Sequence, residues 1–178
     1  MIQSWKQLSS KTVHENPWWK YQLDEFELPN GAKGEYHYMK TRGSVAIIAI
    51  DAGGKILLHR QYRYIFDRES LECPAGGIKP DQTPREAATA ELAEEIGVRA
   101  KILEEVGSFA VGTGLLDDVV KVFIAKDLSF MTSEKDETEE FEHMRLSPEE
   151  IDTAIFRGEM WDGVSISAWA IAKLFFKK

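Results

Sequence analysis

The sequence contains a single cysteine, Cys73, and therefore cannot form an internal disulfide bond. Disulfides form in oxidising compartments, so a chain with so little cysteine is typical of a reducing one. The first residues, MIQSWKQLSS, lack the apolar run of a secretory signal. No stretch approaches the ~18 apolar residues that a membrane-spanning helix needs. We therefore expect a cytoplasmic protein with no membrane partner.

Positive charge is also scarce. Lysine and arginine total 22 against 30 aspartates and glutamates, which gives a formal net charge of −8. Nucleic-acid binding depends on a basic face that neutralises phosphates, so we expect no nucleic-acid partner. A small anionic ligand remains compatible with this charge, because a few arginines or metal ions can hold it. The 178 residues, 43% of them hydrophobic, are enough for a domain with a full core.

The order of strand and helix patterns indicates an α/β protein. The stretch YQLDEFELPNGAKGEYHYMK predicts two antiparallel strands around a turn at Pro29-Asn30-Gly31. SVAIIAI (Ser44–Ile50) and KILLHRQYR (Lys55–Arg63) predict two strands joined by the turn DAGG. Further strands are predicted in KILEEVGSFAV and VVKVFIAKDL, and two helices in SPEEIDTAIFRG and SISAWAIAKLFF.

The segment AGGIKPDQTPREAATAELAEEIGV joins a glycine-rich loop to a helix with clear end signals. Thr83 can cap the helix, Pro84 suits its first position, and Glu86 completes a capping box. Gly97 can end the helix in a left-handed conformation. The spacing of these residues predicts a helix over Pro84–Ile96.

Three glutamates gather on this helix, although like charges at such spacings repel. Glu91 and Glu95 lie four residues apart on one face, and Glu94 lies at its edge. Carboxylate oxygens are the ligands that Mg²⁺ and Mn²⁺ prefer, and a divalent cation would turn the repulsion into attraction. The alternative is an ordinary solvated helix face, and the residues alone leave both interpretations open. The predicted core stripe of the same helix consists of Ala88, Leu92 and Ile96.

The segment resembles the box of the Nudix hydrolases, G-x5-E-x7-R-E-U-x-E-E-x-G-U, where U is a bulky aliphatic residue. Gly76 takes the first glycine. Gln82 replaces the first glutamate of the pattern, and Ala90 replaces its arginine. Since both partners of a possible acid–base pair are missing, we expect a compensated change that retains the metal site. The later fixed positions are Glu91, Leu92, Glu94, Glu95, Gly97 and Val98.

The flanking residues are similar to the ADP-ribose and nucleoside diphosphate sugar branch of that family. They include QYR (Gln61–Arg63), LECPAGGI (Leu71–Ile78) and LPNG before the first core strand. The resemblance implies an α/β/α sandwich with a mixed β-sheet and an extra N-terminal antiparallel strand region. It further implies a dimer-forming extension at residues 1–42, a Nudix hydrolase domain at residues 43–178, and a homodimer joined through the N-terminal strands.

The resemblance also implies roles for individual residues. Glu91, Glu95 and the carbonyl of Ala75 would bind the metal, Mg²⁺ or Mn²⁺. Glu94 would assist catalysis, and Arg63 would lie near the pyrophosphate. Such a site would offset the charge of the substrate and lower the pKa of the attacking water.

A general base is expected in the acidic stretch SEKDETEEFEH, as in the resembled branch. Glu140 is the first candidate because it leads directly into the strand-like FEHMRL, with Glu139 second and Glu137 third. The alternative for each is a solvated loop residue.

Weaker signals concern the substrate. Trp18 and Trp19 have flat faces that could stack on a nucleobase, as N-terminal aromatics do in the resembled branch, or could pack in a dimer interface. Arg42 is a candidate phosphate contact, with an ordinary surface arginine as the alternative. Glu72 is a further candidate near the metals, whereas His59 is expected to be an ordinary strand residue.

The expected function is metal-dependent hydrolysis of nucleoside diphosphate sugars, ADP-ribose included, to a nucleoside monophosphate and a sugar phosphate. VGTGLLDD, with Thr113, stands where ADP-ribose-preferring relatives often have an SPG-like turn, which favours a broader substrate range. Two alternatives remain open. The first is a non-catalytic domain that binds nucleotide sugars, and the second is a nucleoside triphosphate pyrophosphatase.

Overall fold

The computed structural model describes residues 3–131 and 142–176, which form a mixed α/β structure. Short 3-10 turns follow the fifth strand and the last helix. The strands are β1 (Lys6–Glu15), β2 (Lys20–Glu27), β3 (Lys33–Lys40), β4 (Ser44–Ile50), β5 (Ile56–Arg63), β6 (Arg68–Glu72), β7 (Ala75–Gly77), β8 (Val98–Gly112), β9 (Leu116–Phe130) and β10 (Glu142–Leu146), and the helices are α1 (Pro84–Ile96), α2 (Pro148–Phe156) and α3 (Gly163–Ala172).

One mixed sheet organises the molecule. Its main path runs β1-β2-β3-β9-β4-β5-β10, while β6, β7 and β8 pair with β5, β4 and β9 respectively. β9 runs parallel to both β3 and β4, and the remaining pairings are antiparallel. The mixed sheet expected from the resemblance is therefore confirmed.

The alternation of side chains along β4 builds a layer on each side of the sheet. Val45 and Ile47 pack on one side with the apolar stripe of α1. Ala46 and Ile48 point to the other side, where they pack with residues of α2 and α3. Because both faces are covered, β4 is a nearly continuous apolar run, as its sequence predicted. The α/β/α sandwich is confirmed.

The helix α1 has the bounds that its end signals predicted. Thr83 accepts a hydrogen bond from the Glu86 backbone, and the Glu86 side chain accepts one from the Thr83 backbone. Gly97 ends the helix with a φ of 65°, in the left-handed region that suits glycine. The predicted stripe of Ala88, Leu92 and Ile96 is buried against the sheet.

The N-terminal strands extend the sheet away from the helices. β2 and β3 flank the predicted turn, in which Gly31 has a φ of +85°. β1 forms a third strand, which the sequence pattern did not distinguish, and all ten of its residues are exposed. Trp5 stacks on Phe26 at 4.6 Å between ring centroids. Among the described strands, β3 joins this extension to the larger sheet by its parallel pairing with β9.

Three predicted elements differ in extent from the structure. β8 and β9 are each 15 residues long, because they continue as a paired ribbon beyond the apolar stretches that predicted them. The last helix ends at Ala172 and continues as a 3-10 turn. In the described part of the chain, no helix is long and apolar enough to cross a membrane.

Candidate active site

The glycine-rich loop and α1 meet at two glutamates. The backbone N–H of Ala75 donates to Glu95 Oε2 at 2.9 Å, and the Glu95 side chain is buried. The main chain at Gly76 lies against the Glu91 carboxylate, since a Cβ atom at Gly76 would be 2.1 Å from Glu91 Oε1. The structure thus brings together Ala75, Glu91 and Glu95, the three residues expected to bind metal. Ala75 contacts Glu95 through its amide, whereas the family resemblance implied that its carbonyl binds the metal.

The two carboxylates next to this loop fit a divalent cation. Their oxygens are hard ligands, and the absence of a side chain at Gly76 leaves a backbone cradle beside Glu91. Within residues 3–131 and 142–176, no three histidine, cysteine or acidic side chains are already grouped to hold an ion. Glu91 and Glu95 would therefore share a cation with further oxygen ligands, such as main-chain carbonyls or water.

Glu94 lies apart from this pair. Its side chain is exposed and forms an ion pair with Lys79, with 3.6 Å between Nζ and Oε1. The Lys79 backbone N–H donates to Gln82 Oε1 at 3.0 Å. Gln82 thus ties the loop to the start of α1 by an amide oxygen, which is a structural contact that needs no charge. Ala90, at the other departure from the family pattern, is half-buried.

A second polar cluster, centred on Glu72, lies on β5 and β6. Glu72 is 1% exposed and accepts hydrogen bonds from the Arg63 guanidinium, with Nε at 2.8 Å from Oε1 and a second, shorter contact from Nη2 to Oε2. This two-point contact raises the pKa of Arg63 above its ordinary value. Gln61 Nε2 also donates to Glu72 Oε2, at 3.2 Å.

The network continues from Gln61 to His59, which is fully buried. Gln61 Nε2 lies 2.9 Å from His59 Nε2, and His59 Nδ1 lies 3.9 Å from Glu95 Oε2. Burial lowers the pKa of His59 to about 4, with smaller contributions from the charges of Arg63 and His143. His59 is therefore neutral at pH 7, and its contact with Glu95 is not an ion pair there.

His143 reaches the same helix from β10. Its Nε2 is 2.9 Å from the backbone oxygen of Glu95, in the last turn of α1. His143 is the direct cross-strand neighbour of His59 in the antiparallel pair of β10 and β5. The candidate site thus consists of α1 on one side and the end of β5 with its neighbours on the other.

From the sequence, we gave this second polar cluster too little weight. Glu72 was only a further candidate, and His59 was expected to be an ordinary strand residue. The available signal was the alternation of polar residues along β5, because positions two apart share one face of a strand. These positions are His59, Gln61 and Arg63, and His59 pairs with Glu72 in the register of β5 and β6.

The predicted substrate residues fall in two places. Trp18, Trp19 and Arg42 line one cavity of about 510 Å³ next to β2 and β3. Asn16 Oδ1 accepts from the backbone N–H groups of both tryptophans, and Arg42 donates to the Pro17 carbonyl at 3.2 Å. Arg63 does not line this cavity; it faces Glu72 in the second polar cluster.

The expected general base lies outside the described residues. Glu140, Glu139 and the third candidate, Glu137, all belong to the stretch between Met131 and Glu142. Their assignment stays a prediction from the sequence.

Comparisons with known proteins identify the family. A NUDIX domain model matches residues 40–167, and a model of the nucleoside diphosphate sugar hydrolase N-terminal domain matches residues 5–39. The chain belongs to the Nudix family. The resemblance inferred from the glutamate-rich helix and its flanks is confirmed, together with the branch that the N-terminal segment indicates.

Individual relatives extend the likeness over most of the chain. An ADP-ribose pyrophosphatase of Bacillus subtilis (strain 168) is 33% identical over 158 residues, which cover 88% of this chain and 84% of that protein. A methanol dehydrogenase activator of Bacillus methanolicus is 37% identical over 110 residues, or 62% of this chain and 60% of that protein. A crystal structure of an ADP compounds hydrolase has the same fold, with a TM-score of 0.86, 23% identity and coverage of 99% of this chain and 96% of that one.

Proposed function

We propose that the protein is a metal-dependent pyrophosphatase that hydrolyses nucleoside diphosphate sugars, ADP-ribose included. The products are a nucleoside monophosphate and a sugar phosphate. The observation that supports this most directly is the position of Glu91 and Glu95 against Gly76 and Ala75, with Arg63 in the same network. The relative named ADP-ribose pyrophosphatase, similar over 88% of this chain, supports the substrate class.

Glu91, Glu95 and the carbonyl of Ala75 hold the cation in this proposal, which we take to be Mg²⁺ or Mn²⁺ because the ligands are hard oxygens. A bound divalent cation would offset the charge of the pyrophosphate and lower the pKa of the attacking water. Arg63 orients the substrate: its guanidinium is half-exposed, so it can contact a phosphate while Glu72 fixes it from the buried side. Glu94, at the exposed edge of this site, assists catalysis in this proposal.

The general base in this proposal is Glu140, with Glu139 as the second choice. Both lie within the three residues that precede β10 in the sequence, and β10 is attached to α1 by the contact of His143 with the Glu95 carbonyl. We expect Glu140→Gln to lower kcat by about a hundredfold or more and to spare substrate binding, since the amide cannot accept the proton. A rate near that of the wild type would assign the base to another residue, with Glu139→Gln as the next variant.

The nucleoside end of the substrate is proposed to bind the cavity lined by Trp18, Trp19 and Arg42. Stacking on an indole ring tolerates different bases, which agrees with a broad substrate range. We propose a homodimer through β1–β3, because β1 is exposed along its whole length. The lone thiol at Cys73 supports a cytoplasmic location.

The deciding experiment is phosphate-coupled hydrolysis of ADP-ribose, GDP-mannose, UDP-glucose and a nucleoside triphosphate. It is run with Mg²⁺, with Mn²⁺ and with a chelator, on the wild type and on Glu95→Gln. Metal-dependent cleavage of the diphosphate sugars, lost in Glu95→Gln, is the expected result.

A second function is favoured by the departures at Gln82 and Ala90. A domain that binds nucleotide sugars without cleaving them would show no turnover in any of these assays. Nucleotide sugars would nevertheless raise its Tm. Cleavage of the triphosphate alone would instead indicate a nucleoside triphosphate pyrophosphatase.

A further inference from the structure

Two histidines from neighbouring strands converge on one residue of the metal-binding helix. His59 on β5 and His143 on β10 are direct cross-strand partners, so their side chains leave the sheet on the same face. His59 approaches the carboxylate of Glu95, and His143 approaches its backbone oxygen. Glu95 is thus contacted at both ends by imidazoles from the same strand pair.

The orientation of the His59 ring follows from its neighbour. Gln61 Nε2 can only donate, and it contacts both Glu72 Oε2 and His59 Nε2. His59 Nε2 therefore accepts, and the ring proton resides on Nδ1, which is the nitrogen that faces Glu95 Oε2 at 3.9 Å. The His59 ring thus turns its N–H towards the Glu95 carboxylate at a distance longer than a hydrogen bond, whereas the Ala75 N–H donates to that carboxylate directly.

Packing alone does not account for a histidine at position 59. The residues before it, Leu57 and Leu58, are buried aliphatics that belong to the two apolar layers. His59 is equally buried, at 0% exposed, and a polar ring without matched partners would destabilise such a site. Its ring approaches Gln61 and Glu95, which belong to the candidate active site.

We propose that His59 and His143 are positioning residues that fix Glu95 for cation binding. The inference rests on the proposed function, because it assumes that Glu95 is a metal ligand. The Ala75 amide restrains the carboxylate by a hydrogen bond, and the buried His59 ring restrains it by its close approach. His143 restrains the backbone of the last turn of α1, and so the direction in which the Glu95 side chain leaves the helix.

The two histidines differ in how directly they act. His59 contacts the side chain that holds the cation, and groups that orient metal ligands typically contribute about ten- to a hundredfold in metal affinity. His143 acts through the main chain, so we expect a smaller loss from its removal. Neither residue is assigned a direct contact with substrate.

The test is titration of the purified, metal-free protein with Mn²⁺ by calorimetry, without nucleotide. His59→Leu should weaken Mn²⁺ binding by about tenfold or more, and His143→Leu by a smaller factor. His59→Asn returns an N–H near the place of Nδ1, and His143→Gln returns one near the place of Nε2. These two variants should therefore recover part of the affinity, and His37→Leu on the distant strand β3 should bind Mn²⁺ as the wild type does.

The Tm of each metal-free variant separates folding from positioning. Affinity losses in leucine variants that keep the wild-type Tm, with recovery in His59→Asn and His143→Gln, support the proposal. Equal Mn²⁺ affinity in the wild type and both leucine variants overturns it. If His59→Leu does not fold, His59→Asn and the two variants of His143 decide in the same way. A wild type that neither binds Mn²⁺ nor cleaves any substrate would contradict the proposed function itself.

Discussion

At the scale of single residues, the absence of a side chain is as important as any functional group. Gly76 does not have a positive φ, so its backbone conformation does not require glycine. The requirement is the close approach of Glu91, whose carboxylate occupies the place of a Cβ atom. Gly77, the next residue, would meet nothing within 4 Å of an added Cβ.

These two glycines make a matched pair of variants. Gly76→Ala should lower activity at least tenfold, because the methyl group displaces the Glu91 carboxylate or shifts the loop. Gly77→Ala should retain activity near that of the wild type. The measurement is the kcat/KM of both variants on ADP-ribose; equal rates would show that Glu91 can move without loss.

The contact between Arg63 and Glu72 permits a second residue-scale prediction. Arg63→Met leaves a buried carboxylate without its guanidinium, which should lower the free energy of unfolding by about 1–3 kcal/mol. The double variant Arg63→Met/Glu72→Gln should be more stable than Arg63→Met, because no buried charge is left. Urea unfolding of the wild type, both single variants and the double variant measures the coupling. If the losses in the two single variants simply add up in the double variant, Arg63 and Glu72 are not coupled and the prediction is wrong.

At the scale of elements, the two ends of α1 and the start of α2 were the most predictable features of the chain. α1 and α2 both begin with a hydroxyl cap, a proline and a glutamate that completes a capping box. All of these contacts lie within three residues, so no distant part of the fold is needed to form them. The ends of β8 and β9 were less predictable, because the outer parts of these strands pair with each other and are not buried in the core.

The capping box of α2 predicts a pH dependence of stability. The backbone N–H of Ser147 lowers the pKa of Glu150 below its usual 4.5. The folded protein therefore favours the ionised form, and this stabilisation is full above the ordinary pKa and is lost as the pH falls through the lowered one. The difference in Tm between the wild type and Glu150→Gln should be larger at pH 7 than at pH 3. If the difference in Tm is the same at both pH values, packing and not the ionisation of Glu150 accounts for the stabilisation.

At the scale of the whole molecule, the first strand of the N-terminal extension is exposed along its whole length. Ten exposed residues in β1 gain little apolar burial within one chain, and exposed Trp5, Leu8 and Val13 add apolar surface. Apolar area of this kind typically marks an interaction site. A second copy of the chain would cover it in the proposed homodimer.

The proposed dimer predicts a solution mass of about 40 kDa, twice the 20.2 kDa of one chain. Two charges on exposed residues of β1, as in Leu8→Glu with Val13→Glu, should shift the mass measured by light scattering towards that of the monomer. Phe156→Glu, on the 92% exposed Phe156 of α2, is the matched control and should stay dimeric. A wild type of about 20 kDa would contradict the dimer.

The sequence by itself determined the α/β class and the helix that we propose to bind metal, and the family resemblance that it carries added the layers. Apolar alternation, capping residues and the spacing of Glu91 and Glu95 depend on neighbours within one or two turns, and the family pattern depends on the same residues. These signals were sufficient to predict the α/β/α sandwich, the bounds of α1 and membership of the Nudix family.

Only the tertiary structure decided which polar residues surround the two glutamates. The contacts of Glu95 with Ala75, His59 and His143 join residues that are 20, 36 and 48 positions apart. The register between β5, β6 and β10 places Glu72 and His143 opposite His59, and that register follows from the fit of whole strands against the core. No local pattern encodes such distances, and so the buried network on β5 became visible only in the folded chain.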